Sequence, residues 1–290
     1  MTCIGIIGGS GLYDLPGLTD GHWETVETPF GKPSDQIFRA RLGDTDLAFL
    51  PRHGRGHGVN PSEINYRANI DALKRLGVTD ILSMSACGSL AEDLPPGSFV
   101  AVDQFIDRTH ARARSFFSHG MVAHVSMAEP TCARLRAAVV AAGGETGTPV
   151  RDGGTYVTIE GPQFSTKAES HLYRQWGAQV IGMTNMPEAR LAREAEICYQ
   201  TVAMVTDYDC WHEEEEAVEV SAVIRVLKDN ADRARALVAH AAPRIAAARA
   251  ATCPHGCDRV LDTAIITPPE ARGGDALARL DAVAGRVLKS

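Results

Sequence analysis

Two carboxylates two residues apart, Asp207 and Asp209 in Thr206-Asp207-Tyr208-Asp209, close an apolar run over residues 199–206. Period-two alternation along a strand would point both the same way. Ionised, they accept from an exocyclic amine; protonated, they donate to a ring nitrogen, which is what an amino-purine leaving group demands. The same residues equally suit a solvated acidic turn. At the other end of the chain, the turn Gly8-Gly9-Ser10-Gly11 follows a first apolar run. Backbone N–H groups in such a turn can cradle an oxyanion, although a plain tight turn reads identically. The dinucleotide fingerprint is excluded because its third glycine position holds Asp14, and no Gly-Lys-Ser/Thr marks a nucleoside-triphosphate loop.

A third group is Arg52 and His53, which end the run Phe49-Leu50-Pro51. A guanidinium fork at the C-terminal edge of a strand matches phosphate bidentately. His53 and His57 also allow a metal pair, but no carboxylate adjoins them and a surface loop explains them more simply. Ser83-Met84-Ser85-Ala86-Cys87-Gly88-Ser89 offers hydroxyls and small side chains at another strand end. Cys87 lacks a nucleophile elbow or a nearby histidine and reads as a small buried thiol. Glu213-Glu214-Glu215-Glu216 reads as a solvated face with Trp211 as a possible anchor, while His124 and Met127 have no local partner and are equally consistent with core.

The elements that must position these groups follow from apolar spacing. Cys3–Gly8 reads as a buried strand, and 37–42 with 46–51 as a hairpin around Gly43-Asp44-Thr45. A loop then runs from Arg52 to Asn60. A helix starts near Ser62, with Ile64, Ala68, Ala72 and Leu76 on one side and Gly77 as its stop. Strands are predicted at 79–84, 98–103, 154–160, 178–182 and 199–206, alternating with helices near 128–142, 166–176 and 186–196. Two longer helices, 219–241 and 274–288, close the chain, the first with Val223, Leu227, Ala234 and Leu237 along a stripe. Such alternation predicts an α/β fold with a largely buried sheet. Without internal repeats or linkers, the 290 residues read as one domain.

A net charge of −7 disfavours nucleic acid and anionic membranes as partners. No segment has the length of a membrane span, and the N-terminus lacks the basic flank of a signal peptide, so a cytoplasmic protein is expected. Seven scattered cysteines argue against a secreted disulfide framework. Cys253 and Cys257, in Cys-Pro-His-Gly-Cys, are the one close pair, open to a bond, a redox role or plain reduced thiols. Zinc is disfavoured because no second ligand pair at suitable spacing accompanies them.

Eight segments in order, Ile-Ile-Gly-Gly-Ser-Gly-Leu (6–12), Thr-Pro-Phe-Gly-Lys-Pro-Ser (28–34), Pro-Arg-His-Gly-Arg-Gly-His (51–57), Ile-Asn-Tyr-Arg-Ala-Asn-Ile (64–70), Ser-Ala-Cys-Gly-Ser-Leu (85–90), Ile-Glu-Gly-Pro-Gln-Phe-Ser (159–165), Gly-Met-Thr-Asn-Met-Pro-Glu (182–188) and Thr-Asp-Tyr-Asp-Cys-Trp (206–211), resemble the trimeric purine nucleoside phosphorylase family. The likeness extends to about residue 240 and is greatest to the branch acting on 5′-methylthioadenosine. It implies a single domain with a central mixed, partly barrel-like β-sheet flanked by helices, and a C-terminal helical extension from about 245. It also implies that Ser10, Arg52, His53, Ser85, Ala86 and Thr184 hold phosphate, which is a co-substrate; no cofactor or metal is implied. Met183 would lie against the ribose and Phe164 near the base, with Ser165 and Thr206 in the substrate pocket. Asp207 would face the purine N7 as the catalytic acid, and Asp209 the 6-amino group.

Relatives acting on 6-oxopurines carry Glu where Ser165 stands and Asn where Asp207 stands, so this chain is expected to prefer adenine. Relatives that bind a free 5′-hydroxyl tend to place His at position 220. Val220, Val223 and Ile224 would instead seat a methylthio group, where a hydroxyl left without a partner costs roughly 1–3 kcal/mol. Gly182 stands where animal enzymes of this branch have Asn, as it does in the 6-oxopurine branch. A homotrimer is implied, with His124 of a neighbouring subunit closing the 5′ pocket. The expected reaction is phosphorolysis of 5′-methylthioadenosine, with a broader phosphorylase acting on adenosine or inosine as the alternative. The phosphate-side residues, all retained, argue against a catalytically silent nucleoside-binding protein, and Asp14 with the lack of a hydride-site constellation argues against a dehydrogenase.

Overall fold

The longest apolar runs form the deepest strands. The computed structural model describes residues 2–9, 11–212 and 220–289, and for 220–225 and Leu227 the backbone alone. Strand β1 (Cys3–Gly8) is buried at every residue. It lies parallel between β4 (Thr45–Pro51) and β5 (Val78–Ser89). Covered on both faces, such parallel strands need continuous rather than alternating apolar sequence. The predicted hairpin is present: β3 (Ile37–Leu42) returns into β4 with Leu42 opposite Thr45 across Gly43-Asp44. Gly43 takes a positive φ of 57°, as a tight hairpin turn requires. Strand β2 (Leu18–Glu24) adds an edge not expected from sequence; it is polar and mostly exposed.

Strand β5 is the trunk of the eleven-stranded sheet. Besides β1 it pairs in parallel with β11 (Cys198–Asp207) and antiparallel with β10 (Val180–Gly182). One arm continues from β10 to β9 (Thr155–Thr158) and β7 (Gln104–Asp107). The other runs from β11 to β6 (Phe99–Ala101) and β8 (Val150–Asp152). The two arms are linked where β6 leads into β7: Val102 N donates to Thr201 O and Asp103 N to Gly154 O. No ladder joins β7 to β8 among the described residues, so this mixed, partly barrel-like sheet does not close.

Helices cover both faces. Ile4 and Ile6 of β1 face α2 (Ala133–Glu145) and α5 (Val220–Ala247), packing with Leu135, Val139, Leu237 and Ala241. Ile7 faces the other side, with Ile70 and Leu73 of α1 (Tyr66–Arg75) and Leu191 and Ala192 of α4 (Asn185–Glu194). Helix α1 begins one turn later than expected. Its cap is Asn65, whose side chain accepts from Ala68 N at 3.1 Å, while Ser62 is held in the preceding turn by Asn60.

The expected helix over 274–288 is instead two short ones, α6 (Gly274–Arg279) and α7 (Gly285–Leu288). Leu280, Val283 and Ala284 between them are buried, so the apolar period marked core contact rather than one continuous helix. Asp281 is drawn to Arg75 at 2.5 Å and Arg286 to Glu196 at 2.6 Å, with a poor helix former, Gly285, at the break.

Where β4 ends, Arg52 enters the centre of the molecule and ties four elements together. Its Nε donates to Glu188 Oε2 at 2.8 Å and its Nη2 to Glu188 Oε1 at 3.1 Å and Ser83 Oγ at 2.5 Å; its Nη1 donates to Met84 O at 3.1 Å. Glu188 also accepts from Ser83 Oγ at 2.6 Å and Tyr199 Oη at 2.8 Å. Asn185 Nδ2 reaches Ser83, Tyr199 and Thr201. The two charged side chains are 3% and 1% exposed. Removing one member of a buried pair strands the other charge at a cost of about 3–5 kcal/mol. Glu188→Gln is therefore expected to lower unfolding stability by roughly that amount in a denaturant titration. A loss below ~1 kcal/mol would mean that Arg52 finds another partner.

Candidate active site

At the C-terminal ends of β4, β5, β10 and β11 a cavity of about 280 Å³ opens. It collects most of the residues singled out from sequence: Arg52, His53, Ser85, Ala86, Phe164, Met183, Thr184, Thr206, Asp207 and Asp209. Gly9 lines it, whereas Ser10 lies outside the described residues. Cys87 and Gly88, between β5 residues Ala86 and Ser89, complete the floor.

One end is the Arg52 corner. Burial works against the Arg52 charge, but the Glu188 carboxylate beside it holds the guanidinium above its ordinary pKa. The bidentate face assigned to phosphate from sequence is turned to Glu188, and only one Nη1–H remains after Met84 O is served. Burial pulls His53 down to about 4, aided by the Arg52 and His57 charges despite a hydrogen bond to Val59 O. Its Nδ1 lies 2.8 Å from that carbonyl, which can only accept; the ring is thus the Nδ1–H tautomer with Nε2 as an acceptor. His57 stacks on it with ring centroids 4.3 Å apart.

Ser85 Oγ lies 3.1 Å from Tyr156 Oη, and Ala86 is exposed within an otherwise largely buried strand. Thr184 flanks the start of α4. Tyr156, fully buried, also accounts for Gly182: a Cβ at 182 would lie 1.8 Å from the Tyr156 hydroxyl. Packing against Tyr156 thus accounts for glycine there.

The other end carries the carboxylates. Both line the cavity, though not through simple strand alternation. A register shift between Val205 and Asp207 in the β11–β5 ladder re-aims Thr206 and Asp207. Asp209, beyond the strand, turns back with a φ of 53°. Thr206 Oγ1 donates to Asp207 Oδ2 at 2.7 Å and to Cys87 O at 3.1 Å, and Asp209 N donates to Asp207 Oδ1 at 2.8 Å. Burial, with Asp207 beside it, raises Asp209 above the usual carboxylate range. Burial also pushes the Cys87 thiol well up, with the Asp207 charge adding to it, so that a thiolate nucleophile is disfavoured.

Phe164 is 48% exposed at the cavity wall, on the loop before α3 (Lys167–Gln175). That helix is fixed by a capping box between Thr166 and Glu169. Ser165 lines an adjoining groove; its Oγ is buried without a hydrogen-bond partner among the described residues, and its carbonyl accepts from Cys210 Sγ at 3.2 Å. Trp211 anchors the segment after Asp209, donating to Ser89 O at 2.7 Å. The following Glu213–Glu216 lie outside the described residues, as do the side chains of Val220, Val223, Ile224 and Leu227. His124 is exposed and does not line this chain's cavity; its N–H donates to Ala264 O.

Three supporting residues escaped sequence reasoning. Glu188 and Tyr156 are described above. The third, Arg112, donates from Nη1 to Met183 O at 2.6 Å and Met186 O at 2.7 Å, and from Nη2 to Glu160 O at 2.7 Å. It thereby clamps the Met183 turn to the loop leading to Phe164. Although burial raises its pKa, Glu160 is held at about 2 by Ser62, the N–H groups of His110 and Ala111, and Arg112. Glu188 did stand in one of the recognised segments; Arg112 sat in an arginine-rich loop that nothing distinguished from surface.

Known proteins share this fold. The S-methyl-5′-thioadenosine phosphorylase of Cereibacter sphaeroides is 62% identical over 288 residues, covering 99% of each chain. A methylthioadenosine phosphorylase from an antarctic soil metagenomic library superposes with a TM-score of 0.92 at 48% identity, covering 97% of this chain and 98% of that one. The Schistosoma mansoni methylthioadenosine phosphorylase in complex with adenine gives 0.87 at 39% identity, covering 91% of this chain and 99% of that one. Residues 3–243 match the family model described as the phosphorylase superfamily, and on that match, with these likenesses in sequence and fold, the chain belongs to the phosphorylase superfamily.

Proposed function

We propose that the chain catalyses phosphorolysis of 5′-methylthioadenosine, releasing adenine and 5-methylthioribose 1-phosphate. The observation that carries this reading is one cavity with a hydroxyl-and-cation end at Arg52, His53, Ser85 and Thr184 and a two-carboxylate end at Asp207 and Asp209. The 62% identity to an S-methyl-5′-thioadenosine phosphorylase supports it. Phosphate, held by the first end with Ser10 and Ala86, attacks C1′ from the face opposite the base. The anomeric centre inverts without a covalent enzyme intermediate.

Because Glu188 neutralises Arg52, the anion relies on oriented donors rather than net charge. Neutral His53, with Nε2 as acceptor, suits the O–H of monohydrogen phosphate. At the base end Asp207 delivers, or shares, the proton at N7 as charge builds on adenine, beside Asp209, whose pKa burial raises. Asp209 then accepts from the 6-amino group. Phe164 covers the base, Met183 the ribose, and the unpartnered Ser165 hydroxyl lies beside them. Val220, Val223 and Ile224 would seat the methylthio group, with His124 of a neighbouring subunit closing the pocket of a cytoplasmic homotrimer. No described helix is long and apolar enough to cross a membrane.

Three measurements test this. Incubated separately with methylthioadenosine, adenosine and inosine, the protein is expected to release adenine fastest from methylthioadenosine, and only with phosphate present. Preference for inosine would move it to 6-oxopurines. Asp207→Asn is expected to lower kcat/KM by at least about 10-fold, since a charged hydrogen bond is worth roughly 1.5–3 kcal/mol; unchanged turnover would remove Asp207 from the proton transfer. Finally, a His53 pKa of about 4 in the folded protein leaves the ring neutral throughout the physiological range. Its imidazole NMR resonances should stay flat between about pH 5.5 and 8, where an ordinary histidine titrates. An inflection near pH ~6.5 would show a solvated ring.

A further inference from the structure

Four of the seven cysteines, distant in sequence, meet at one buried place: Cys132, Cys198, Cys253 and Cys257. Cys132 caps the start of α2, and its N–H bonds Tyr199 O at 2.8 Å. Cys198 opens β11 at the end opposite Asp207, about 30 Å away along a ten-residue strand. Cys253 and Cys257 bracket a tight turn in which Gly256 N donates to Cys253 O at 2.9 Å and Gly256 takes a φ of 68°. The phosphorolysis reading uses none of them.

All four sulfurs lie within 4.8 Å of one another, and Cys132 Sγ and Cys253 Sγ are 3.7 Å apart. A tetrahedron of thiolates around zinc, with Zn–S near 2.3 Å, has an edge of about 3.8 Å. Two disulfides would draw the sulfurs into separate couples with S–S near ~2.05 Å. A cation also touches the cluster: Arg249 Nη1 donates to Cys198 Sγ at 3.2 Å, while Arg249 and Arg134 are matched in charge by Asp80 and Asp258. From sequence, zinc was disfavoured because Cys253 and Cys257 lack a second pair; the fold supplies that pair as two single residues from different elements.

We propose that Cys132, Cys198, Cys253 and Cys257 form a structural zinc site. The four thiols lose their protons as the ion binds, giving a centre of net charge −2 to which Arg249 donates at Cys198 Sγ. The site fastens the C-terminal segment to α2 and β11. That segment in turn holds the strip around His124, through His124 N to Ala264 O and Ile266 N to Val122 O, both at 2.9 Å.

The full chain, purified without chelators from cells grown with zinc, should contain one zinc per chain by plasma mass spectrometry. In denaturant with chelator and no reductant, all seven thiols should react. Cobalt exchanged into the protein should give the visible bands of a tetrahedral thiolate complex. Cys257→Ser is expected to lose the zinc, and because that variant may misfold, the wild-type metal content and cobalt spectrum decide independently. Metal-free protein with seven free thiols, five or three thiols in denaturant, or iron in place of zinc would each overturn the assignment.

Discussion

The buried ion pair between Arg52 and Glu188 is the constraint on which the site depends. In a low-dielectric interior neither charge is tolerable alone, and the pair survives because nearly every remaining donor and acceptor is served by Ser83, Met84 O and Tyr199. Those partners come from β5 and β11, and Glu188 itself from α4, so satisfying the pair fixes the relative positions of three elements around the cavity. The pair also sets the electrostatics of the Arg52 corner. An arginine already matched by a carboxylate presents little net charge to the cavity.

Beyond that pair, the site is shaped by small departures from regular structure. A register shift turns Thr206 and Asp207, and a left-handed residue returns Asp209 beside them. Glycine at 182 makes room for the Tyr156 hydroxyl, which in turn meets Ser85. Arg112 holds the Met183 turn against the Glu160 loop through carbonyl oxygens.

This explains what could be read in advance. The strands β1, β3, β4, β5 and β11 were legible because continuous or alternating apolar runs have few other fates. Strands β2, β7 and β8 were not: β2 is largely exposed, β7 only half-buried, and β8 three residues long with one buried. The residues that line the cavity stood at strand ends in recognisable segments. Their supports did not announce themselves, since Glu188 acts on an arginine 136 positions away and Arg112 on carbonyls 71 and 74 positions away. The cysteines repeat the lesson, because a ligand set assembled from residues 132, 198, 253 and 257 has no local spacing to detect.

Two buried titratable groups, His53 and Glu194, pull stability in opposite directions with pH. Burial lowers His53 from 6.5 to about 4, so the unfolded chain binds the extra proton and stability falls as pH drops through that window. Burial raises Glu194 from 4.5 to about 7, against hydrogen bonds from Phe116 N and Ser115 Oγ. Here the folded chain holds the extra proton, and stability falls as pH rises from 4.5 towards 7. Between 4.5 and 6.5 the two slopes oppose each other. A fold can therefore keep an uncharged imidazole in its cavity without becoming acid-labile on that account, provided that a second buried group titrates the other way elsewhere in the molecule.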